Sequence, residues 1–204
     1  MAKTVGLVSA VSLGMLITFA TGCRIDEHKS GDGKNDDVKI ATPFGGMSVK
    51  TNSAVVEGGV GLTVYPGAEL VKKENGKDNG AADINMSFGS FHLGVKAISY
   101  KTPDSPAKVL AFYRSDMAHY GSVILCSGRS AVGTPDHTQD GLTCDKEKGN
   151  NIHIDDDRSQ QELKAGSKQH QHIVAITTEG SSTKIGLIAL DLPGHLGNDK
   201  DDKD

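Results

Sequence analysis

Long apolar runs, cysteine and clustered charge of one sign are all scarce in this 204-residue chain, and tryptophan is absent. One apolar stretch, at the N-terminus, excludes a multi-span membrane protein. Six prolines and 25 glycines without a three-residue period exclude a collagen-like chain, and no sustained heptad supports a coiled coil. Lysine and arginine number 22 against 26 acidic residues, giving a net charge of −4. Without a basic cluster there is no footprint for a phosphate backbone, so nucleic acid is not an expected partner. C-x-x-C, G-x-x-x-x-G-K-[ST], G-x-S-x-G and H-E-x-x-H are all missing. Redox dithiol, phosphate-loop, esterase-elbow and zincin chemistry therefore have no sequence support, and no cofactor is expected.

What the chain does carry begins at its N-terminus. Residues 1–22 hold a single charge, Lys3, and an apolar stretch over 5–20 interrupted by small polar residues, the layout of a signal peptide. The stretch closes on Ala20-Thr21-Gly22-Cys23, which resembles a bacterial lipobox with Ala20 where leucine is usual. The resemblance implies that Cys23 receives a diacylglycerol on its thiol and a further acyl chain such as palmitate on its new amino group. One acyl chain holds a protein marginally, at about 0.8 kcal/mol per buried CH₂, whereas two or three hold it durably. Cleavage near Ala20 or Gly22 without lipid, or retention as a single-pass anchor, are the alternatives. An arginine at position 24, where aspartate favours inner-membrane retention in lipoproteins of two-membrane bacteria, implies the outer membrane facing the periplasm if the host has one.

Residues 23–37 are polar and nearly free of apolar side chains, which reads as a flexible tether. Residues 194–204 read as a disordered charged tail, leaving 38–193 as a single globular domain of near-neutral charge. With Cys23 given to lipid, Cys126 and Cys144 form an even pair in an exported chain and are expected to be bridged across a polar loop. The chain-entropy model gives such a bridge about 3 kcal/mol.

Within the domain, residues 38–51 contain two β-like runs split by Pro43 and Gly45-Gly46, and Pro66-Gly67 marks a turn. Ile84, Met86 and Phe88, then Phe91, Leu93, Val95 and Ala97, alternate with period two on either side of Gly89-Ser90, as in a hairpin. Ile98 and Tyr100 fall out of phase, which requires a bulge or two covered faces. Residues 102–121 predict one helix, capped by Asp104 or Ser105, opened by Pro106 and closed by Gly121. Its stripe is Val109, Leu110, Tyr113, Met117 and Tyr120, which leaves Phe112 as a candidate exposed aromatic. Strands are expected at 122–126, at 151–155, around 162–166, and as a central hairpin at 171–178 and 183–192. The expected class is α+β, an antiparallel sheet of about six strands packed by one main helix.

The strings TPFGGMSVK, VYPGA and DSPAKVLAFYR resemble an exported bacterial lipoprotein family of uncharacterised function. The resemblance implies export and the architecture, and brings no activity with it.

Candidate chemistry is thin. Ser105 and Lys108 match S-x-x-K, the pairing in which lysine activates a serine, yet helix capping explains the same residues. His170 and His172, two apart, share one side of a strand and with His153 or one of Asp155, Asp156 and Asp157 form a candidate metal set. The plainer reading is a polar strand face. Two functions are expected in order: a lipid-anchored cell-envelope protein acting by non-catalytic binding or structure, with an envelope protein as a candidate partner, and a metal-dependent hydrolase built on His153, His170 and His172.

Overall fold

The computed structural model describes residues 23–29, 36–51, 55–56, 59–72, 80–144 and 160–194. Among these described residues eleven strands form one antiparallel sheet: β1 (Arg24–Lys29), β2 (Asp36–Thr42), β3 (Gly45–Lys50), β4 (Glu69–Leu70), β5 (Ala81–Phe88), β6 (Phe91–Thr102), β7 (Ile124–Ser127), β8 (Ser130–Ala131), β9 (Gln161–Gly166), β10 (His170–Glu179) and β11 (Ser182–Asp191). Their order is β1-β2-β3-β5-β6-β11-β10-β9-β7-β8, with β4 beside the far end of β6. Helix α1 (Pro106–Asp116) continues into a 3₁₀ turn at Met117–Tyr120.

The expected α+β class with about six strands is corrected: the fold is mainly β. The main alternating hairpins form where the sequence places them, and the difference lies at the margins. β4 and β8 have two residues each, too few for any period to register. β1, RIDEHK, is charged because an edge strand needs apolar cover on only part of its surface and gains from charge against edge pairing. So within 23–37, read as a tether, Arg24–Lys29 pairs residue by residue with Asp36–Ala41. Among the described residues the one α-helix lies closest to β9 and β10.

The phase problem at Ile98 and Tyr100 resolves as two covered faces. Register is continuous from β5 through β6 to β11, with no bulge. Ile98, Tyr100, Ile185, Leu187, Val174, Ile176 and Leu163 face α1, where they meet Val109, Tyr113 and Met117. Leu93, Val95, Ala97, Ile188, Leu190 and Ile173 face the other way.

Ser105 occupies the helix N-cap position in extended backbone but makes no side-chain cap. Asp104 turns aside instead, accepting from the Tyr65 hydroxyl at 2.8 Å and from Lys108 Nζ at 3.1 Å. Lys108 is thus held at the helix start in an i,i+4 ion pair with Asp104, while the capping expected of the Ser105 hydroxyl does not form. Phe112 is not the exposed aromatic that its helical phase suggested. It is half-buried, edge-on to Tyr65 at 5.2 Å and to Tyr113 at 5.0 Å, because the 59–65 segment folds across α1 and covers it.

On the opposite face, the Cys126–Cys144 disulfide forms as expected, with Cα atoms 5.5 Å apart. Ile124, Leu142 and both cysteines make a small core of their own beneath the loop that the bridge closes.

Candidate functional site

The segment 59–65 decides where the molecule has a cleft. Val60, Leu62 and Tyr65 bury into the core beside α1. The Tyr65 N–H donates to the Tyr113 hydroxyl at 3.1 Å, and Thr63 gives both its N–H, at 3.0 Å, and its hydroxyl, at 2.6 Å, to the Asp116 carboxylate. The Tyr120 hydroxyl donates to the Gly61 carbonyl. Held this way, Gly59, Val60 and Gly61 overhang the sheet and enclose a cavity of about 360 Å³ against Asn85, Gly94, Lys96, His170, His172 and Asp191.

Two glycines keep that space open. A Cβ on Gly94 would stand 3.2 Å from Asp191 Cβ and 3.5 Å from Asn85 Oδ1, in the floor. Gly61 takes φ +78°, and a Cβ there would run into the Tyr120 hydroxyl at 2.6 Å.

Its polar groups come from four adjacent strands in register, β5, β6, β11 and β10. Asp191 on β11 lies between His92 on β6 and His170 on β10: one carboxylate oxygen is 3.1 Å from His170 Nδ1, the other 3.4 Å from His92 Nε2. Asn85 donates from Nδ2 to Asp83 at 2.5 Å, which fixes its amide. Lys96 has no ion pair among the described residues, so its ammonium is the cleft's uncommitted charge.

His172 stands apart from this ladder. Its ring stacks on Tyr120, with centroids 3.6 Å apart and planes 16° from parallel, and its Nδ1 is buried with no hydrogen-bond partner among the described residues. Burial first, then the proximity of His119 and His170, pushes its pKa below the ordinary imidazole value of 6.5. It is therefore a neutral ring at physiological pH.

The structure places His170 and His172 on one face of β10, as their spacing requires, yet gives them different work: an ion pair for one, a stack for the other. His153 and the Asp155, Asp156 and Asp157 run lie outside the described residues. Among the described residues no three of His, Cys, Asp and Glu are grouped as a metal site. Cys23 is exposed and immediately precedes β1. Sequence reading missed His92, Lys96, Asn85 and Asp191, which lie 106 positions apart at the extremes. Asn85, His92 and Lys96 fall on the local polar phase of their strands, whereas Asp191 closes the apolar phase of Ile185, Leu187 and Ala189, and register alone brings the four together.

No family model, curated protein or solved structure matches the chain.

Proposed function

We propose that this is a cell-envelope protein, carried on acyl chains at Cys23, whose β domain binds a small ligand bearing an anionic group and does no chemistry on it. The observation that carries the binding part is Lys96: an unpaired ammonium in a preformed, glycine-floored cleft, with amide and imidazole groups converging beside it. Such a cleft, lined by a few placed polar groups and apolar walls such as Val60 and Ala189, suits ligand recognition. His170 is held by Asp191, and His172 is neutral and stacked on Tyr120, so both imidazoles are engaged within the protein. The anchor part is supported by the ATGC pattern ending at Cys23 and by the exposure of that thiol.

Two experiments test the two parts. For the cleft, inorganic phosphate and then a panel of small carboxylates are titrated while backbone amide shifts are followed. Shifts centred on Gly94 and Lys96 that vanish in Lys96→Ala support the reading, and an unresponsive cleft across the panel rejects it. For the anchor, the intact mass of protein extracted from its own membranes is read before and after reduction and alkylation. A mass of residues 23–204 plus acyl chains is expected; an unacylated mass rejects the anchor.

A further inference from the structure

The register of the first strands puts an unusual set of residues at one end of the sheet. Arg24 lies opposite Ala41, Thr42 opposite Gly45, Gly45 opposite Phe88 and Phe88 opposite Phe91. Cys23 is therefore level with the β2–β3 and β5–β6 turns, which are themselves tied by the Gly89 N–H donating to the Phe44 carbonyl at 3.2 Å. At these turns Phe44 is 83% exposed and Phe88 43%, while Ile25, two residues after Cys23, is 62% exposed. They are three of the five large apolar side chains left exposed among the described residues.

On β2, β3 and β5 charge follows the same axis, while at the near end of β1 Arg24 is neutralised by Asp26 at 2.9 Å. Residues 41–49 and 84–91, the two hairpin ends, carry no charged side chain. The other ends of the same strands bring Asp37, Lys50 and Asp83 opposite one another. Behind the exposed phenylalanines, Ile25, Ile40, Met47, Met86 and Leu93 form one cross-strand row over five strands, all on a single face because directly paired residues point the same way.

We infer that this end of the sheet seats in the surface of a lipid bilayer, with Phe44, Phe88 and Ile25 entering the interface beside the acylated Cys23. The inference rests on the anchor reading above and adds the orientation of the domain on the membrane. Aromatic and apolar tips without charge lose little on entering the interfacial layer, and contact there adds to the hold of the acyl chains. No spacer separates the anchor from the fold, since β1 begins at Arg24, so a membrane-held Cys23 carries these turns to the bilayer with it. The charged ends of the strands then point away.

The absence of tryptophan makes the test direct. Full-length protein carrying one reporter, Phe44→Trp, Phe88→Trp or Val132→Trp, is purified in its native acylated form. It is reconstituted with phosphatidylethanolamine–phosphatidylglycerol vesicles containing lipids brominated along the chain. Val132 is 45% exposed and follows β8, at the opposite edge of the sheet and away from the turns that carry Phe44 and Phe88, so it serves as the reference. The expected result is blue-shifted emission, with loss of intensity, for the reporters at 44 and 88 and no change at 132. Protein that floats with vesicles while the reporters at 44 and 88 stay as bright as that at 132 overturns the orientation and leaves the anchor standing. Protein that does not float overturns both. A dimer of the Cys23→Ser chain in buffer, with the reporter at 44 already shielded, reassigns the patch to a second copy and overturns the bilayer as its occupant.

Discussion

The imidazole of His172 lies flat on the phenol of Tyr120, 3.6 Å between centroids, and the hydroxyl of that same Tyr120 holds the Gly61 carbonyl. One stack thus joins the central strand β10 to the overhang that makes the cleft. Because burial keeps His172 neutral, its protonation opposes folding. Its folded-state pKa lies below the unfolded value near 6.5, so the unfolded chain binds more protons in the window between the two. The contribution is present above about pH 6.5 and is lost as pH falls through the folded-state value. Urea midpoints measured from about pH 7.5 down to 5 should decline, and His172→Phe should flatten that part of the decline. An unchanged slope in the variant would remove His172 as its source.

Tyr113 is fully buried, and its hydroxyl accepts from the Tyr65 N–H at 3.1 Å. Its pKa is pushed well above the ordinary phenol range, first by burial. Tyr113→Phe fills the same space but strands the Tyr65 N–H in the core. The expected loss is about 1–3 kcal/mol in urea unfolding, with the helical signal retained. A neutral variant would show that water reaches this N–H.

Lys164 is fully buried on β9, with Glu162 Oε2 3.5 Å from its ammonium and Gln160 Nε2 3.4 Å from the other carboxylate oxygen. Removing one member leaves the other charge in the interior. Lys164→Ala should therefore destabilise by about 3–5 kcal/mol, while Lys164→Met combined with Glu162→Gln should cost much less. Equal losses in the two variants would deny the pair its mutual dependence.

Cys126 and Cys144 close a loop across 18 positions and are themselves core residues. Reduction frees the unfolded chain and should lower stability by about 3 kcal/mol. Cys126→Ala with Cys144→Ala should lose more, since it also removes buried volume beneath the loop. Thermal or urea unfolding under oxidising and reducing conditions separates the two terms.

Gly94→Val aims a branched side chain at Asp191 and Asn85, in the floor of the cleft. Phosphate-induced amide shifts at Lys96 should disappear in this variant while the fold, judged by its unperturbed distant amides, persists. Retained shifts would place the anion elsewhere.

Period-two alternation made the β5–β6 hairpin legible, turn residues between two β-like runs made β2–β3 legible, and β-branched residues on both arms made β10–β11 legible. The helix was legible from Pro106 and its apolar stripe, and the disulfide from cysteine parity in a chain with export features. These are local properties, written within a few residues of one another or in a simple count. β1, β4 and β8 were not legible, since short or charged edge strands acquire their structure from the neighbour they pair with. Nor was the burial of Phe112, which depends on Tyr65 arriving from 47 positions away. The cleft belongs to the same class: His92, Asp191 and His170 become neighbours only through the order β6-β11-β10, and Lys96 acquires its setting only when Gly59, Val60 and Gly61 close over it. Local patterning by itself determined which segments pair and which side of each is dry. Strand order and the fold-over of one loop, both products of long-range packing, decided which polar residues share a site and which end of the sheet carries Cys23.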